Sequence, residues 1–270
     1  MMVFRLVQSV VLLTAAADDS VHSHLGHAPL APPFTDLEAW QPLVGRFAFN
    51  ITTLSSEAQR LFGIGLLLIY NFDQPNAQSA FKACLENDPS CSMCWWGLAH
   101  AHGPFLNRPT KSSDDLAAGL FAAANASAQL AKRRDRHSAK ERVLIDAMAV
   151  RYPANSAAGD QVKSYKQYAK VLRTARESNV SLSSDVDLTV FDAEARMVLM
   201  CDDAGYHFYK SNGDDLPPTP AEGTAEISKM LRGVLATTGQ THPYAQHLLI
   251  HSTEMSNSEA LGAGSRQQPI

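Results

Sequence analysis

From Ser55 onward, apolar positions recur at three- and four-residue intervals, the spacing that lays one apolar stripe along a helix. Ser55–Tyr70, Asn76–Asn87 and Cys91–His102 each carry three to four turns of this pattern. An Ala-rich stretch follows at Asp114–Lys132, then Ser138–Tyr152, Gly159–Arg176, Asp185–Cys201, Pro220–Thr237 and His242–Thr253. Breakers separate them: Asn71-Phe72-Asp73-Gln74-Pro75, Asp88-Pro89, Gly103-Pro104 and Leu216-Pro217-Pro218. No stretch alternates apolar and polar residues as a half-buried strand does, so the pattern predicts an all-α fold.

A repeat runs through the first of these helices. Taking Ala58 as the first position of a 34-residue unit puts Gly65 at the close-contact position of the first helix. Ala77, Phe81 and Cys84 then fall on the packing positions of the second helix, and Pro89 on the terminal turn. One period later, Trp95, Leu98 and Ala99 take the large, apolar and small positions of the next first helix. This register resembles the tetratricopeptide repeat family. The run Asn87-Asp-Pro-Ser-Cys-Ser-Met-Cys-Trp-Trp-Gly-Leu-Ala99, with Gly103-Pro104 after it, is similar to one secreted branch of that family. Ala149-Val150-Arg151-Tyr152, Ala193-Glu194-Ala195 and His242-Pro243 extend the likeness over roughly residues 55 to 255. The resemblance implies an α-solenoid of antiparallel helix pairs over residues 51–256, with a groove that takes a protein or peptide ligand. Beyond Gly103 the strict period lapses, so the later pairs are expected to be irregular. Residues 257–270 read as an unstructured tail in place of a capping helix, which predicts a shortened product or a partner covering that end.

The N-terminal segment adds a compartment. Arg5 precedes an apolar core at Leu6–Leu13, and Ala15-Ala16-Ala17 supplies the small-residue site of a signal peptide over residues 1–17. Residues 18–50 form a leader with Pro29, Pro32 and Pro33, in which His22, His24 and His27 are spaced to chelate copper or zinc. Secretion agrees with sequons at Asn50, Asn125 and Asn179 and with an even set of cysteines, Cys84, Cys91, Cys94 and Cys201. Three pairings are open; closeness in the chain favours Cys91 with Cys94 or with Cys84. No later apolar run is long enough to span a membrane. A net charge of -4 gives no reason to expect a nucleic-acid partner, and the short basic run Lys132–His137 reads as a solvated helix end.

The chemistry concentrates late in the chain. On a helix opening at Thr241-His242-Pro243, Tyr244, His247, His251 and Glu254 share one stripe, while Ala245, Leu248, Leu249 and Ser252 face inward. His247 and His251 stand at i and i+4, the spacing that grips one zinc or copper ion, with Glu254 beside His251 and His242 at the helix start. His207, Glu194, Asp202 and His100 are the further ligands available. Leu248 occupies the place of the glutamate in a zinc-protease helix. Two functions follow: a scaffold binding a protein or peptide in its groove, or a secreted metal-dependent enzyme built on the late histidines. Cys91-x-x-Cys94 reads as structural. His102, on the packing stripe of Trp95, Leu98 and Ala99, is expected to be a buried, hydrogen-bonded histidine. No phosphate loop or nucleophile elbow is present, and Asp202-Asp203 and Asp214-Asp215 read as loops.

Overall fold

A side chain able to cap the first turn precedes most of the helices. In a computed structural model that describes residues 48–153, 161–212 and 217–256, Ser55, Asp73, Ser112, Ser138 and Asp185 each accept a backbone N–H of the first turn. Ser138 and Glu141 close a reciprocal capping box. The signal segment, the three leader histidines, Asp214-Asp215 and the tail lie outside the described residues.

The helices are α1 (Ser56–Tyr70), α2 (Gln74–Asn87), α3 (Ser92–His102), α4 (Ser113–Lys132), α5 (Ala139–Arg151), α6 (Gln161–Ser178), the single turn α7 (Val180–Ser183), α8 (Val186–Val198), α9 (Thr224–Thr237) and α10 (Pro243–Thr253). They pack as neighbouring pairs, α1 on α2, α3 on α4, α5 on α6 and α9 on α10, and α10 returns to touch α1. The fold is the expected all-α stack of helix pairs. No helix among the described residues is long and apolar enough to cross a membrane.

One segment departs from the pattern. Cys201–Asp202 (β1) pairs antiparallel with Gly205–Tyr206 (β2), and Tyr209–Lys210 (β3) with Thr219–Pro220 (β4). Strands of two residues are too short to show alternation, so no hydrophobic signal announces them. They also move the start of α9 from Pro220 to Thr224.

The core is organised around Phe81 of α2. Its ring is fully buried against the backbones of Gly65 on α1 and Gly97 on α3, where a Cβ at either position would overlap ring carbons. Phe62 tilts against this ring at 5.6 Å and against Trp96 at 6.4 Å, and Trp96 meets Phe191 of α8 edge-on at 5.3 Å. The same device recurs: Gly119 of α4 leaves room for Tyr152, whose hydroxyl donates to the Ala99 carbonyl at 2.9 Å. Gly103 leaves room for the Arg151 guanidinium, which donates to the Pro104 carbonyl at 2.8 Å. Small residues are thus placed where a large side chain from a neighbouring helix must reach backbone.

The cysteines correct the expected pairing. Cys84 of α2 and Cys94 of α3 lie at bonding distance with Cα atoms 5.9 Å apart, and Cys91 and Cys201 are free. Cys91 is nearest to Cys94 in the chain, but it caps α3, and its sulfur accepts the Cys94 N–H at 3.2 Å. Both histidines of α3 are taken into the structure: His100 is fully buried against α8, and His102, mostly buried, lies with Nδ1 3.6 Å from Asp115.

Exchanging Gly97 for Ala tests the wedge by its sign. At an open helix position Gly→Ala stabilises by up to about 1 kcal/mol. Here the new Cβ must displace Phe81, and urea unfolding of Gly97→Ala is expected to show a loss of about 1–3 kcal/mol. A stabilised variant would remove the close approach as the organising contact.

Candidate metal centre

Pro243 stands at the first turn of α10, and His242 caps it by accepting the Ala245 N–H on Nδ1 at 3.3 Å. Apolar Ala245, Leu248 and Leu249 bury the helix, and with them Tyr244. This turns His247 and His251 toward the C-terminal end of α1.

There the α1 carbonyls have no partner of their own within the helix. Asp73 and Phe72 donate backbone N–H groups to the Leu68 and Ile69 carbonyls, the double bond pattern of a Schellman turn. The Tyr70 carbonyl is left to accept from His247 Nδ1 at 2.6 Å. On the other ring, His251 Nδ1 donates to Glu254 Oε1 at 2.9 Å. The two Nε2 atoms face each other at 3.0 Å.

Proton accounting decides what this pair is. A carbonyl and an ionised carboxylate only accept, so each Nδ1 carries the hydrogen. Each neutral ring then presents an Nε2 lone pair, and two lone pairs at 3.0 Å repel unless a cation or a proton lies between them. Helical ligands at i and i+4, each with Nδ1 held by an outer acceptor, are the arrangement that fixes imidazole for a metal. With nitrogen–metal bonds of about 2.05 Å, the 3.0 Å separation corresponds to an N–metal–N angle of about 94°. Burial lowers the His247 pKa, with the neighbouring His251 acting in the same direction and the Tyr70 bond opposing both.

An aromatic frame encloses the rings. Phe72 stacks on His251 at 5.5 Å and tilts against His247 at 4.3 Å. Tyr206 of β2 meets His251 edge-on at 5.3 Å, and its hydroxyl is held by Asn107. Phe72 has φ 60°, the left-handed conformation that this turn position normally gives to glycine. A β-carbon there is strained, and what it gains is a ring packed on both histidines.

The residues nominated by pattern are therefore divided. His247 and His251 converge, and Glu254 joins as the outer partner of His251. His242 is turned to Asp187, whose Oδ1 lies 3.5 Å from its Nε2. His207 pairs with Asp202 at 2.7 Å on the exposed hairpin. Glu194 and His100 form a separate buried pair at 3.3 Å. Phe72, Tyr206 and the Tyr70 carbonyl were not nominated. Phe72 carried one signal, a large aromatic in a breaker run where Gly or Asn usually ends a helix.

The buried pair has its own electrostatics. Burial pushes Glu194 up to about 7, against the pull of the Arg151 guanidinium. Burial holds His100 well below its ordinary value, with Arg151 acting in the same direction. Arg151 lies over the Tyr168 ring at 4.7 Å. Of the sequons, Asn50 and Asn179 are exposed, and Asn125 lies within α4 with its amide donating to the Phe121 carbonyl. The basic run borders a cleft of about 640 Å³ with Arg133, Arg136 and Thr53, but His137 is buried on Ser92 at 2.6 Å.

No family model matches this chain, and no curated protein or solved structure matches it.

Glu194 gives a pH signature. Its folded pKa lies above the unfolded value of 4.5, so the fold favours the protonated acid, and its contribution to stability is lost as pH rises from about 4.5 to about 7. His100 works in the opposite direction, its folded pKa being depressed, so its contribution falls as pH drops below 6.5. Glu194→Gln removes only the first term. Its stability relative to wild type, from urea midpoints, is expected to rise between pH 5 and pH 8 by about 2–3 kcal/mol. A difference independent of pH would show that Glu194 is ionised in the fold.

Proposed function

We propose that this protein is a tetratricopeptide-like helical scaffold that carries a transition-metal ion, zinc or copper, on His247 and His251 and uses it to hold a protein or peptide ligand. The observation that carries the reading is the pair of Nε2 atoms 3.0 Å apart, each ring already fixed through Nδ1. Two imidazoles occupy two coordination positions, and zinc or cupric copper takes four or more. The remaining positions are then open to donors from outside, such as a histidine or carboxylate of the ligand. Phe72 and Tyr206 supply flat apolar surface beside the ion for the ligand to pack on. Glu254 serves as the outer partner that keeps His251 in the correct tautomer. Support for the family rests on the Gly65, Phe81, Gly97 wedge and the pairwise packing of the helices. A signal segment at residues 1–17 would place this binding in the secretory pathway.

The reading is tested on purified, untagged protein. One equivalent of zinc or copper per chain is expected by elemental analysis, with His247→Ala/His251→Ala losing it. Metal at about a hundredfold over its dissociation constant should stabilise wild type by roughly 2.7 kcal/mol and leave the double variant unchanged. Wild type that melts at one temperature in zinc, in copper and in chelator would mean that a shared proton, not a metal, joins the two rings.

A further inference from the structure

A second group of metal-binding atoms lies away from α10 and owes nothing to the reading above. The sulfurs of Cys84, Cys91 and Cys94 all lie within 4.8 Å of one another, and all three residues are buried. Their placement follows from the repeat. Cys84 sits one turn beyond Phe81 on α2, and the wedge that Phe81 makes with Gly97 draws the start of α3 against it. Cys91 is the N-cap of α3 and Cys94 lies in its first turn.

A disulfide accounts for only two of these atoms. The third, Cys91, is held toward them: its sulfur accepts the Cys94 N–H at 3.2 Å, at the positive end of the α3 dipole. Backbone donors aimed at a sulfur are among the outer-shell contacts of thiolate metal centres. A metal bound to three thiolates at about 2.3 Å sets its sulfurs about 4.0 Å apart. Cys91 already lies within 4.8 Å of both others, and opening the bridge lets the Cys84 and Cys94 sulfurs rotate apart to that spacing. Among the described residues no fourth histidine, cysteine or carboxylate joins the group. Structural zinc is almost always four-coordinate, whereas thiolate-rich sites select cuprous copper.

We propose that the reduced chain binds one Cu(I) ion between Cys84, Cys91 and Cys94, and that the Cys84–Cys94 bridge is the oxidised, metal-free form of the same site. Opening the bridge takes two electrons and two protons from a dithiol, which leaves as its own disulfide. Copper enters as Cu(I) and remains Cu(I), and each thiol that becomes a thiolate ligand gives its proton to solvent. The bridge and the ion thus exclude one another, and the redox state of the surroundings sets which one ties α2 to α3.

The test uses the full chain carrying His247→Ala and His251→Ala, so that its outcome is independent of the histidine centre. The protein is reduced with a phosphine under anaerobic conditions and mixed with the Cu(I)–bicinchoninate complex. Transfer of one equivalent of copper is expected, with X-ray absorption showing a first shell of three sulfurs. Cys91→Ser should weaken the transfer at least tenfold, yet still form the Cys84–Cys94 bridge on reoxidation, mapped by mass spectrometry. Protein that takes no copper from the competitor, a first shell without sulfur, or a Cys91→Ser variant with undiminished affinity would each overturn the proposal. Should any variant fail to fold, reduced wild type loaded with two equivalents of Cu(I) decides: a component with three sulfurs in its first shell supports the site, and nitrogen ligation with no sulfur refutes it.

Discussion

The approach of the Phe81 ring to the backbones of Gly65 and Gly97 is the constraint on which the other contacts depend. At this closeness a β-carbon would overlap the ring, and here two helices leave it out for one and the same ring. The result fixes the spacing of α1, α2 and α3 together and not pair by pair. Cys84, one turn along α2, is carried to Cys94 by that spacing. The C-terminal end of α1 is aimed by it as well, and with it the Tyr70 carbonyl that receives His247, 177 residues later in the chain.

Outward from this apolar wedge, the helices are registered by polar groups. Arg151 of α5 reaches the Pro104 carbonyl beyond α3, Tyr152 reaches Ala99, and Glu194 of α8 faces His100. Each of these buried groups costs desolvation, and a misregistered helix would leave it without its partner. Apolar contacts tolerate sliding by a turn; a guanidinium that must meet one carbonyl does not. These directed bonds tie α5 and α8 to α3 and the turn after it, and so specify the register of the later helices on the earlier ones.

Much of this was legible in the chain. The helices are declared by apolar spacing and caps, and the register from Ala58 singles out Gly65 and Phe81, which the fold brings into contact. What stayed hidden has physical causes. The two-residue strands carry no alternation, and their side chains answer to the hairpin and not to a sheet face. Cysteine pairing follows distance in space, and a helix start can hold Cys91 and Cys94 side by side while aiming them at different partners. The burial of His100 was not legible from α3 alone, because its partner Glu194 comes from α8. Of the late histidines, periodicity correctly put His247 and His251 on one stripe. It could not reveal that His242 would be turned toward Asp187, which comes from another helix.

The histidine centre is assembled from the two ends of the described chain. Both histidines belong to α10, but the groups that fix their rings come from elsewhere. The Tyr70 carbonyl comes from the end of α1, Phe72 from the turn after it and Tyr206 from the first hairpin, so only when the last helix has docked on the first are the two rings held in place. Any cation that binds between them favours the docked state over the undocked one by its full differential affinity. Phe72 works on the same equilibrium from the protein side. Its left-handed backbone is strained whether or not α10 is present; its ring meets Phe105 at 5.3 Å in either case, and gains the two histidines when α10 is seated. Any cation bound at the pair is therefore linked to the seating of α10 on this turn, each favouring the other.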